Sequence, residues 1–247
     1  MRTLFLSLVF LLQTLICFSQ QEKQSFNFTT PDKKNLSKKI LWATQYYVHQ
    51  LNSIGNIQFV LNDGTATNLY ADTCAFCDAA LEGTAFIKDS TGNVTILNFS
   101  KVGDKEFVNC RKCSKYKNSK LSVENWGKIV WVKSSGYGKG VNNYDLVPYR
   151  TIATDKSFIP IGTVIFIPLI RGQKIKLPNG EVVTHDGYFY SGDVGKAIIG
   201  NHIDIFTGLE TKNPFPNIIF SQKDKTFEAY IITDKNIIAE LKKNHTK

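Results

Sequence analysis

Short apolar stretches separated by turn residues occupy the second half of the chain. Val147–Asp155, Phe158–Pro168 and Phe227–Thr233 are rich in β-branched and aromatic residues. The sequence Pro178–Asn179–Gly180 is strong turn chemistry and predicts a hairpin. Strands of this length, joined by tight turns with little helix between them, predict a small closed β-barrel rather than a parallel sheet.

The first half of the chain has a different pattern. Ile40–Leu51 combines β-branched and aromatic residues and predicts the first strand, followed by a turn at Asn62–Gly64. Thr84–Lys88 and Val94–Phe99 predict a hairpin that turns through the polar residues 89–93. The region from about residue 65 to 125 therefore predicts a separate subdomain inserted into the barrel.

The N-terminus has the pattern of an export signal. Arg2 supplies a positive charge, Leu4–Ile16 is a short apolar run, and Cys17–Ser19 offers small residues for cleavage before Gln20. Lipid modification of Cys17 is the alternative, but the residues just before it are bulkier than lipoprotein signals have. No later stretch reaches membrane-spanning length. We expect a secreted protein of the periplasm or cell envelope.

These patterns together predict the domain organisation. The expected parts are a signal peptide at 1–19, a loose N-terminal segment at 20–39, a first barrel strand region at 40–64, the inserted subdomain at 65–125, the main barrel domain at 126–234, and a basic C-terminal tail with a short, weakly amphipathic helix at 235–247.

Composition and charge narrow the class of partner. The chain has 247 residues, of which 43% are hydrophobic, and a net charge of +9 at pH 7. Scattered lysines usually form a solvated surface. With an export signal, a polyanionic cell-wall partner fits this charge better than nucleic acid, and no nucleic-acid-binding module is recognisable. We expect a monomer.

Two CxxC pairs lie in the inserted subdomain, Cys74–Cys77 and Cys110–Cys113. Four such cysteines could hold zinc, but neither pair has the Gly or Pro neighbours that zinc knuckles usually carry. The export signal indicates an oxidising compartment, where paired cysteines usually form disulfides. The positions fit nested bridges between two facing segments, so we predict the disulfides Cys77–Cys110 and Cys74–Cys113.

Candidate chemistry is concentrated between residues 188 and 208. Tyr188–Tyr190 and His202–Phe206 predict two strands around a glycine-rich loop, with Asp193 and Asp204 eleven residues apart. Asp193 alone could be a helix cap. Asp204 interrupts an apolar strand, where aspartate is depleted. Alternation places it on the face of His202 and Phe206, and a carboxyl among aromatic rings has the raised pKa that a general acid needs.

Three ordered motifs carry a resemblance to a known family. Arg150–Asp155, Ile159–Thr163 and Gly192–Asp204 resemble the successive motifs of the three-aspartate (3D) domain, which is shared with the catalytic barrel of the membrane-bound lytic transglycosylase A family. The resemblance extends over about residues 126–230. It implies a mainly β fold, a six-stranded double-psi β-barrel with the cysteine-bearing subdomain inserted, and three acids, Asp155, Asp193 and Asp204, converging on one cleft.

The resemblance also implies a reaction. Peptidoglycan would be cleaved at the β-1,4 bond between N-acetylmuramic acid and N-acetylglucosamine, with a 1,6-anhydro product and Asp204 as the single acid and base. Asp193 would keep Asp204 protonated, and Asp155 would orient a loop or a sugar hydroxyl. We take Tyr137, Tyr188 and Tyr190 as candidate sugar-stacking residues.

Departures from the family pattern and other function classes complete the expectations. Lys156, Lys196 and Ile199 differ from the residues common in the family and affect the substrate groove more than the acids. A non-catalytic glycan-binding barrel of the expansin-like kind is the alternative function. An aspartic protease would need a second Asp-Thr/Ser-Gly copy. No cofactor is expected, and no metal, because the histidines lack a third ligand at suitable spacing.

Overall fold

The computed structural model describes residues 25–246. The predicted signal peptide and Cys17 lie outside this range. The β-strands of the described part are β1 (Lys38–Tyr46), β2 (His49–Asn52), β3 (Ile57–Val60), β4 (Ala66–Ala71), β5 (Thr84–Lys88), β6 (Val94–Val102), β7 (Ile129–Lys133), β8 (Thr151–Thr154), β9 (Val164–Phe166), β10 (Lys174–Lys176), β11 (Val182–Thr184), β12 (Tyr188–Asp193), β13 (His202–Phe206) and β14 (Phe227–Ile231). The α-helices are α1 (Thr73–Glu82) and α2 (Lys235–Asn244), and the short 3-10 turns include Cys110–Lys112, Ser114–Tyr116, Val123–Lys128 and Pro168–Ile170.

Six of the strands close into a barrel. Their order around it is β1-β13-β8-β12-β9-β14. β1 pairs with β13, and β8 with β12, in parallel, whereas the other neighbours are antiparallel. A closed barrel leaves no unpaired edge strand. The prediction of a mainly β protein built on a six-stranded double-psi barrel is confirmed.

Alternation along β13 positions its residues as the sequence predicts. Ile203 and Ile205 are 1% and 0% exposed and belong to the main core inside the barrel. Asp204 is half-buried on the opposite face of the strand. Because successive side chains of a strand point to opposite sides, the two isoleucines anchor the strand while Asp204 faces out of the barrel.

The N-terminal segment is docked on the barrel rather than loose from residue 25 onward. Arg150, whose side chain is fully buried, makes a two-pronged ion pair with Asp186 at 2.6 and 2.8 Å and donates to the Ser25 carbonyl at 2.7 Å. Its guanidinium also lies 4.0 Å from the centre of the Phe26 ring. A buried guanidinium is stable only when ion pairs and hydrogen bonds satisfy it. Because Ser25 and Phe26 are among its partners, Arg150 anchors the N-terminal segment to the barrel.

The C-terminal end, predicted to be a short helix and a basic tail, is also part of the fold. The helix is present as α2, and its Asp234 N-cap accepts from the backbone N–H groups of Asn236 and Ile237. His245, just after the helix, is fully buried, stacks on Tyr190 and lies 3.0 Å from the Thr151 hydroxyl. The chain end therefore covers one side of the barrel.

The subdomain contains a four-stranded sheet with the order β2-β5-β6-β7. β2 and β7 were assigned from the sequence to the barrel regions 40–64 and 126–234, and this assignment is wrong. β2 pairs in parallel with β5, and β7 pairs antiparallel with β6. Alternation does not reveal which sheet a strand joins, because that is decided by pairing across the chain.

The sequence interpretation missed helix α1. Asp72 caps its first turn by accepting from the Ala75 N–H at 2.9 Å, and Gly83 ends it in the left-handed conformation at φ 77°. Its buried residues Phe76, Cys77, Ala79 and Ala80 follow a helical period. An N-cap aspartate and a glycine after the last turn are the usual helix boundary signals and could have predicted it.

Both predicted disulfides are present. Cys74 bonds to Cys113 and Cys77 to Cys110, with Cα–Cα distances of 5.2 and 5.8 Å. They join one face of α1 to the short helical turns that precede β7. Because the four sulfurs are paired with each other, the zinc alternative is excluded. Within residues 25–246, no helix has the length and apolar character needed to cross a membrane.

Candidate active site

A cleft of about 1040 Å³ runs between the barrel and the subdomain. Its barrel side includes Asp193 and Asp204, and its subdomain side includes Glu82 at the end of α1. Three carboxyl side chains thus line one space. Apolar side chains line it too, among them Leu81, Phe99, Leu121, Trp126 and Val132 from the subdomain.

Strand β1 provides a hydrogen-bond donor to each of the two aspartates of the cleft. Thr44 is paired with Asp204 in the parallel register, and its hydroxyl donates to Asp204 Oδ1 at 2.8 Å. Tyr46, two residues further along, donates its hydroxyl to Asp193 Oδ2 at 3.1 Å. Residues two apart lie on the same face of a strand, so one strand presents a donor to each acid.

Asp193 lies at the end of β12, where the chain leaves the barrel. Its Oδ1 also accepts from the Val194 N–H at 2.8 Å. Burial raises the pKa of Asp193 to about 6, although the hydrogen bonds from Val194 and Tyr46 act to lower it. Gly140 lies against Asp193: a Cβ there would be 2.4 Å from the Gly192 carbonyl oxygen and 3.2 Å from the Asp193 Cβ. Only glycine lets this loop approach so closely.

Asp204 has a higher pKa than Asp193. Burial, together with the nearby charge of Asp193, raises it to about 7, whereas the hydrogen bond from Thr44 opposes the change. A carboxyl with this pKa is partly protonated near neutral pH. It can therefore act as a general acid and, once it has given up its proton, as a general base.

His202 extends the contacts of Asp204. Its Nε2 lies 2.8 Å from the Thr44 hydroxyl, its Nδ1 lies 3.3 Å from the Ala197 carbonyl, and its ring stacks on Trp42 at 3.6 Å between centroids. Burial lowers its pKa, which favours the neutral ring. A neutral ring that donates from Nδ1 to Ala197 accepts at Nε2 from Thr44, which is then free to accept from protonated Asp204.

The same three groups fit the ionised state after a rotation of the Thr44 hydroxyl and protonation of His202 at Nε2. When Asp204 is charged, Thr44 donates to it and accepts from His202 Nε2–H. The Thr44 hydroxyl therefore accepts from Asp204 when that carboxyl is protonated and donates to it when it is ionised. The Asp204–Thr44–His202 chain supports both protonation states of the acid that a proton-transferring group must occupy.

Asp155 does not line the cleft, although the family resemblance implies that the three acids converge there. It stands at the end of β8, where its carboxylate accepts from the Ser157 hydroxyl at 2.6 Å, the Ser157 N–H at 2.9 Å and the Gly200 N–H at 2.8 Å. These bonds lower its pKa. The bond to Gly200 connects Asp155 to the loop before β13, and its loop-orienting role stays a prediction.

The tyrosines differ from the sequence expectation. Tyr188 and Tyr190 are fully buried, with the Tyr188 hydroxyl donating to the Thr29 carbonyl and the Tyr190 ring against His245. Neither ring offers a face to a sugar, so their assignment as stacking residues is wrong. Tyr137 is half-buried and packs parallel to Phe86 at 6.1 Å.

Three residues of the site were not predicted. The sequence pattern predicted the strand that contains Thr44 and Tyr46. It did not show that this strand, β1, pairs with β13 when the barrel closes. Glu82 comes from the other side of the cleft. Burial raises its pKa to about 8, with the charges of Asp204 and Asp78 adding to this and the Tyr47 N–H opposing it.

In residues 25–246, no group of three or more His, Cys, Asp or Glu side chains is placed to hold a metal ion. His185 is fully buried, with Nε2 2.8 Å from the Tyr149 carbonyl and Nδ1 accepting from the Gly187 N–H. Both of its ring nitrogens are therefore used by the fold.

Comparison with known proteins gives one family match and several structural similarities. Solved structures similar to this chain include E. coli MltA with bound chitohexaose (15% identity, 78% of this chain and 71% of that chain, TM-score 0.47), a membrane-bound lytic murein transglycosylase from Agrobacterium tumefaciens (13%, 81% and 75%, 0.47) and the lytic transglycosylase LtgG of Burkholderia pseudomallei (16%, 78% and 71%, 0.36). Curated protein sequences gave no match. The 3D domain model matches residues 150–213, which include Asp155, Asp193 and Asp204.

Proposed function

We propose that this chain, whose residues 150–213 match the 3D domain, is a peptidoglycan-cleaving lytic transglycosylase. The substrate bond is the β-1,4 link between N-acetylmuramic acid and N-acetylglucosamine, and the product is a 1,6-anhydro sugar. The observation that carries the proposal is the Asp193–Asp204 pair in the cleft, whose two carboxyls have different raised pKa values. Paired acids with separated pKa values are typical of acid–base sites.

The chemistry needs one carboxyl that both gives and takes a proton. Protonated Asp204 donates to the glycosidic oxygen as the bond to the anomeric carbon breaks. The resulting carboxylate then accepts the proton of the C6 hydroxyl, whose oxygen bonds to the same carbon and closes the anhydro ring. The Thr44 and His202 contacts hold the side chain through both steps.

Asp193 has an electrostatic role in this proposal. Its negative charge disfavours ionisation of Asp204 and so keeps the acid form present at higher pH. The oxocarbenium-like charge that develops on the sugar would also be stabilised by an adjacent carboxylate. Tyr46 holds Asp193 in place, and Asp155 fixes the loop before β13 through Gly200.

Location and partner follow from the same features. Two disulfides fit an oxidising compartment outside the cytoplasm. The net charge of +9 attracts a polyanionic cell wall. We propose a monomeric enzyme of the periplasm or cell envelope that acts on peptidoglycan glycan strands.

The test is digestion of purified peptidoglycan, with mass analysis of the soluble fragments. Wild-type protein is expected to release anhydro-muropeptides, and Asp204→Asn to release at least about 100-fold less. Asp224→Asn, at an exposed position outside the cleft, is the matched control and is expected to behave as wild type. Reducing-end products would instead indicate hydrolysis. Glycan binding without release by either protein would favour a non-catalytic, expansin-like binding barrel.

A further inference from the structure

Glu82 is the one carboxyl that the subdomain contributes to the residues lining the cleft. It is the last residue of α1, followed by the left-handed Gly83. Its half-buried side chain lines the same space as Asp193 and Asp204. The two halves of the molecule therefore present acids to one another across the place where substrate would lie.

A structural role accounts for only part of the Glu82 carboxyl. Oε2 accepts from the Tyr47 N–H at 3.2 Å, in the short link between β1 and β2. No other group among residues 25–246 forms a hydrogen bond or salt bridge with this side chain. Lys115, whose positive charge acts to lower the pKa of Glu82, is paired with Asp78. One oxygen is left for a ligand in the cleft.

The position is also a poor one for a carboxylate. The carbonyl end of a helix carries partial negative charge, which disfavours an anion in the last turn. Burial against the barrel has the same effect, and the pKa of Glu82 rises to about 8. Both effects keep the side chain neutral, and a neutral carboxyl has an O–H to donate.

The helix that carries Glu82 is fixed along one face and capped at its C-terminal end. Cys74 and Cys77 attach α1 to Cys113 and Cys110, and the Gly83 N–H closes the last turn on the Ala79 carbonyl. A side chain on such a support loses little entropy when it meets a ligand. The disulfides therefore fix the helix that carries Glu82 within the subdomain.

We propose that Glu82 is a substrate-contacting acid of this cleft, which in its protonated form donates a hydrogen bond to an oxygen of the glycan held against Asp193 and Asp204. The inference rests on the proposed function for the nature of the ligand. It assigns the subdomain a direct part in substrate binding, which the family match at residues 150–213 does not cover.

Other charges around Glu82 determine how it responds to pH. The titratable groups that face it are Asp204 on β13, Asp78 on its own helix, Lys115 and Tyr116 in the following helical turn, Tyr46 on β1 and Tyr47. The charge of Asp204 opposes ionisation of Glu82, so an Asp204→Asn variant should lose the Glu82 proton at lower pH than the wild type does.

The test measures binding without cleavage. An N-acetylglucosamine hexasaccharide is titrated into Asp204→Asn protein and into the double variants with Glu82→Gln and Glu82→Ala, from pH 6 to pH 9. Glutamine keeps an acceptor for Tyr47 and a neutral donor for the sugar. We expect the Gln variant to bind within about twofold of its parent at pH 6, and the Ala variant about tenfold more weakly.

The pH dependence of hexasaccharide affinity distinguishes a direct contact between Glu82 and the substrate from a purely structural role. Affinity of the Asp204→Asn parent is expected to fall as pH rises to 9, because Glu82 loses the donated proton, whereas the Gln variant keeps its affinity. Thermal unfolding reports any loss of folding in the Ala variant, and the Gln comparison stands even if that variant unfolds. Glu106→Gln, at an exposed site of the same subdomain, is the matched control.

Each outcome has a clear consequence. Equal affinity and equal pH dependence in the parent and the Gln and Ala variants would overturn the role of Glu82, as would no hexasaccharide binding by the parent. If wild-type protein releases no fragments from peptidoglycan while the binding results hold, the proposed reaction fails and the Glu82 contact remains. If the wild type is active and the single Glu82→Ala variant is equally active at all pH values, only the Glu82 inference fails.

Discussion

Thr44 and Asp204 occupy paired positions on two parallel barrel strands, with the Thr44 hydroxyl 2.8 Å from Asp204 Oδ1. The contact joins residues 160 positions apart. It exists because β1, from the beginning of the fold, enters the barrel beside β13, near its end. The first strand thereby fixes the orientation of the proposed acid.

Loss of this hydroxyl should alter both rate and pH dependence. In Thr44→Val the hydrogen bond to the carboxylate is absent, and because that bond lowers the pKa of Asp204, the pKa should rise from about 7. The alkaline limb of the pH–rate profile should therefore move to higher pH, and kcat at the optimum should fall about tenfold because the carboxyl is less well held. Thr44→Ser keeps the hydroxyl and should restore both. A Val profile that superimposes on the wild type would contradict this role.

Removal of the neighbouring charge should have the opposite effect on pH dependence. In Asp193→Asn the charge that raises the pKa of Asp204 is gone, so Asp204 should ionise at lower pH. Activity depends on the protonated form, which exists below that pKa, so the ratio of activity at pH 8 to activity at the optimum should be about fivefold lower in the variant than in the wild type. The pH–rate profile of peptidoglycan digestion measures this.

Tyr46→Phe is the control for the Asp193 prediction. It removes the hydrogen bond to Asp193 but leaves the charge, which is present at pH 8 because Asp193 has a pKa of about 6. Its alkaline limb should stay close to that of the wild type. If the alkaline limb of the Asp193→Asn profile does not move, or moves to higher pH, Asp193 does not set the protonation of Asp204.

The disulfides should contribute a measurable part of the subdomain's stability. The two nested bonds close loops with sequence separations of 39 and 33 residues, and replacing all four cysteines by alanine should lower the free energy of unfolding by about 4 kcal/mol. Urea unfolding of the four-alanine variant beside the oxidised wild type gives the value. Addition of a reductant to the wild type is the parallel experiment, and an unchanged unfolding midpoint there would refute the prediction.

Buried histidine should make the fold sensitive to acid. Burial lowers the pKa of His245 to about 4, so the folded state holds this ring neutral while the unfolded chain protonates it near its usual pKa of 6.5. The stabilisation is complete above pH 6.5 and is lost as pH falls toward 4, by on the order of 3 kcal/mol. Stability measured against pH should show this slope.

A variant isolates the contribution of His245. His245→Gln cannot be protonated, and its stability should fall less steeply between pH 6.5 and 4, although it is less stable at neutral pH because the stacking on Tyr190 is lost. His185, whose pKa burial lowers to about 3, remains in the variant and keeps part of the slope. Parallel curves for the two proteins would argue against the assignment.

Local pattern determined much of the fold and part of the site. The alternation in β13 showed that Ile203 and Ile205 face the core and that Asp204 does not, because side-chain direction in a strand depends only on position along it. The spacing of the four cysteines and the expected compartment gave the correct disulfide pairing. The turn at Pro178–Gly180 joins β10 and β11 as a hairpin, for the same local reason.

The sequence by itself therefore determined most of the strands, a small closed barrel and the disulfides, and the resemblance to the 3D domain implied that Asp193 and Asp204 share a cleft. Tertiary structure alone decided which groups surround them. Tyr188 and Tyr190 are core residues because the N-terminal segment and the C-terminal end cover their rings. Asp155 forms hydrogen bonds with the loop before β13 instead of lining the cleft. Thr44, Tyr46 and Glu82 joined the site through contacts between distant parts of the chain. A periodic pattern fixes the direction of a side chain, but what it meets there depends on which other elements the closed barrel brings alongside.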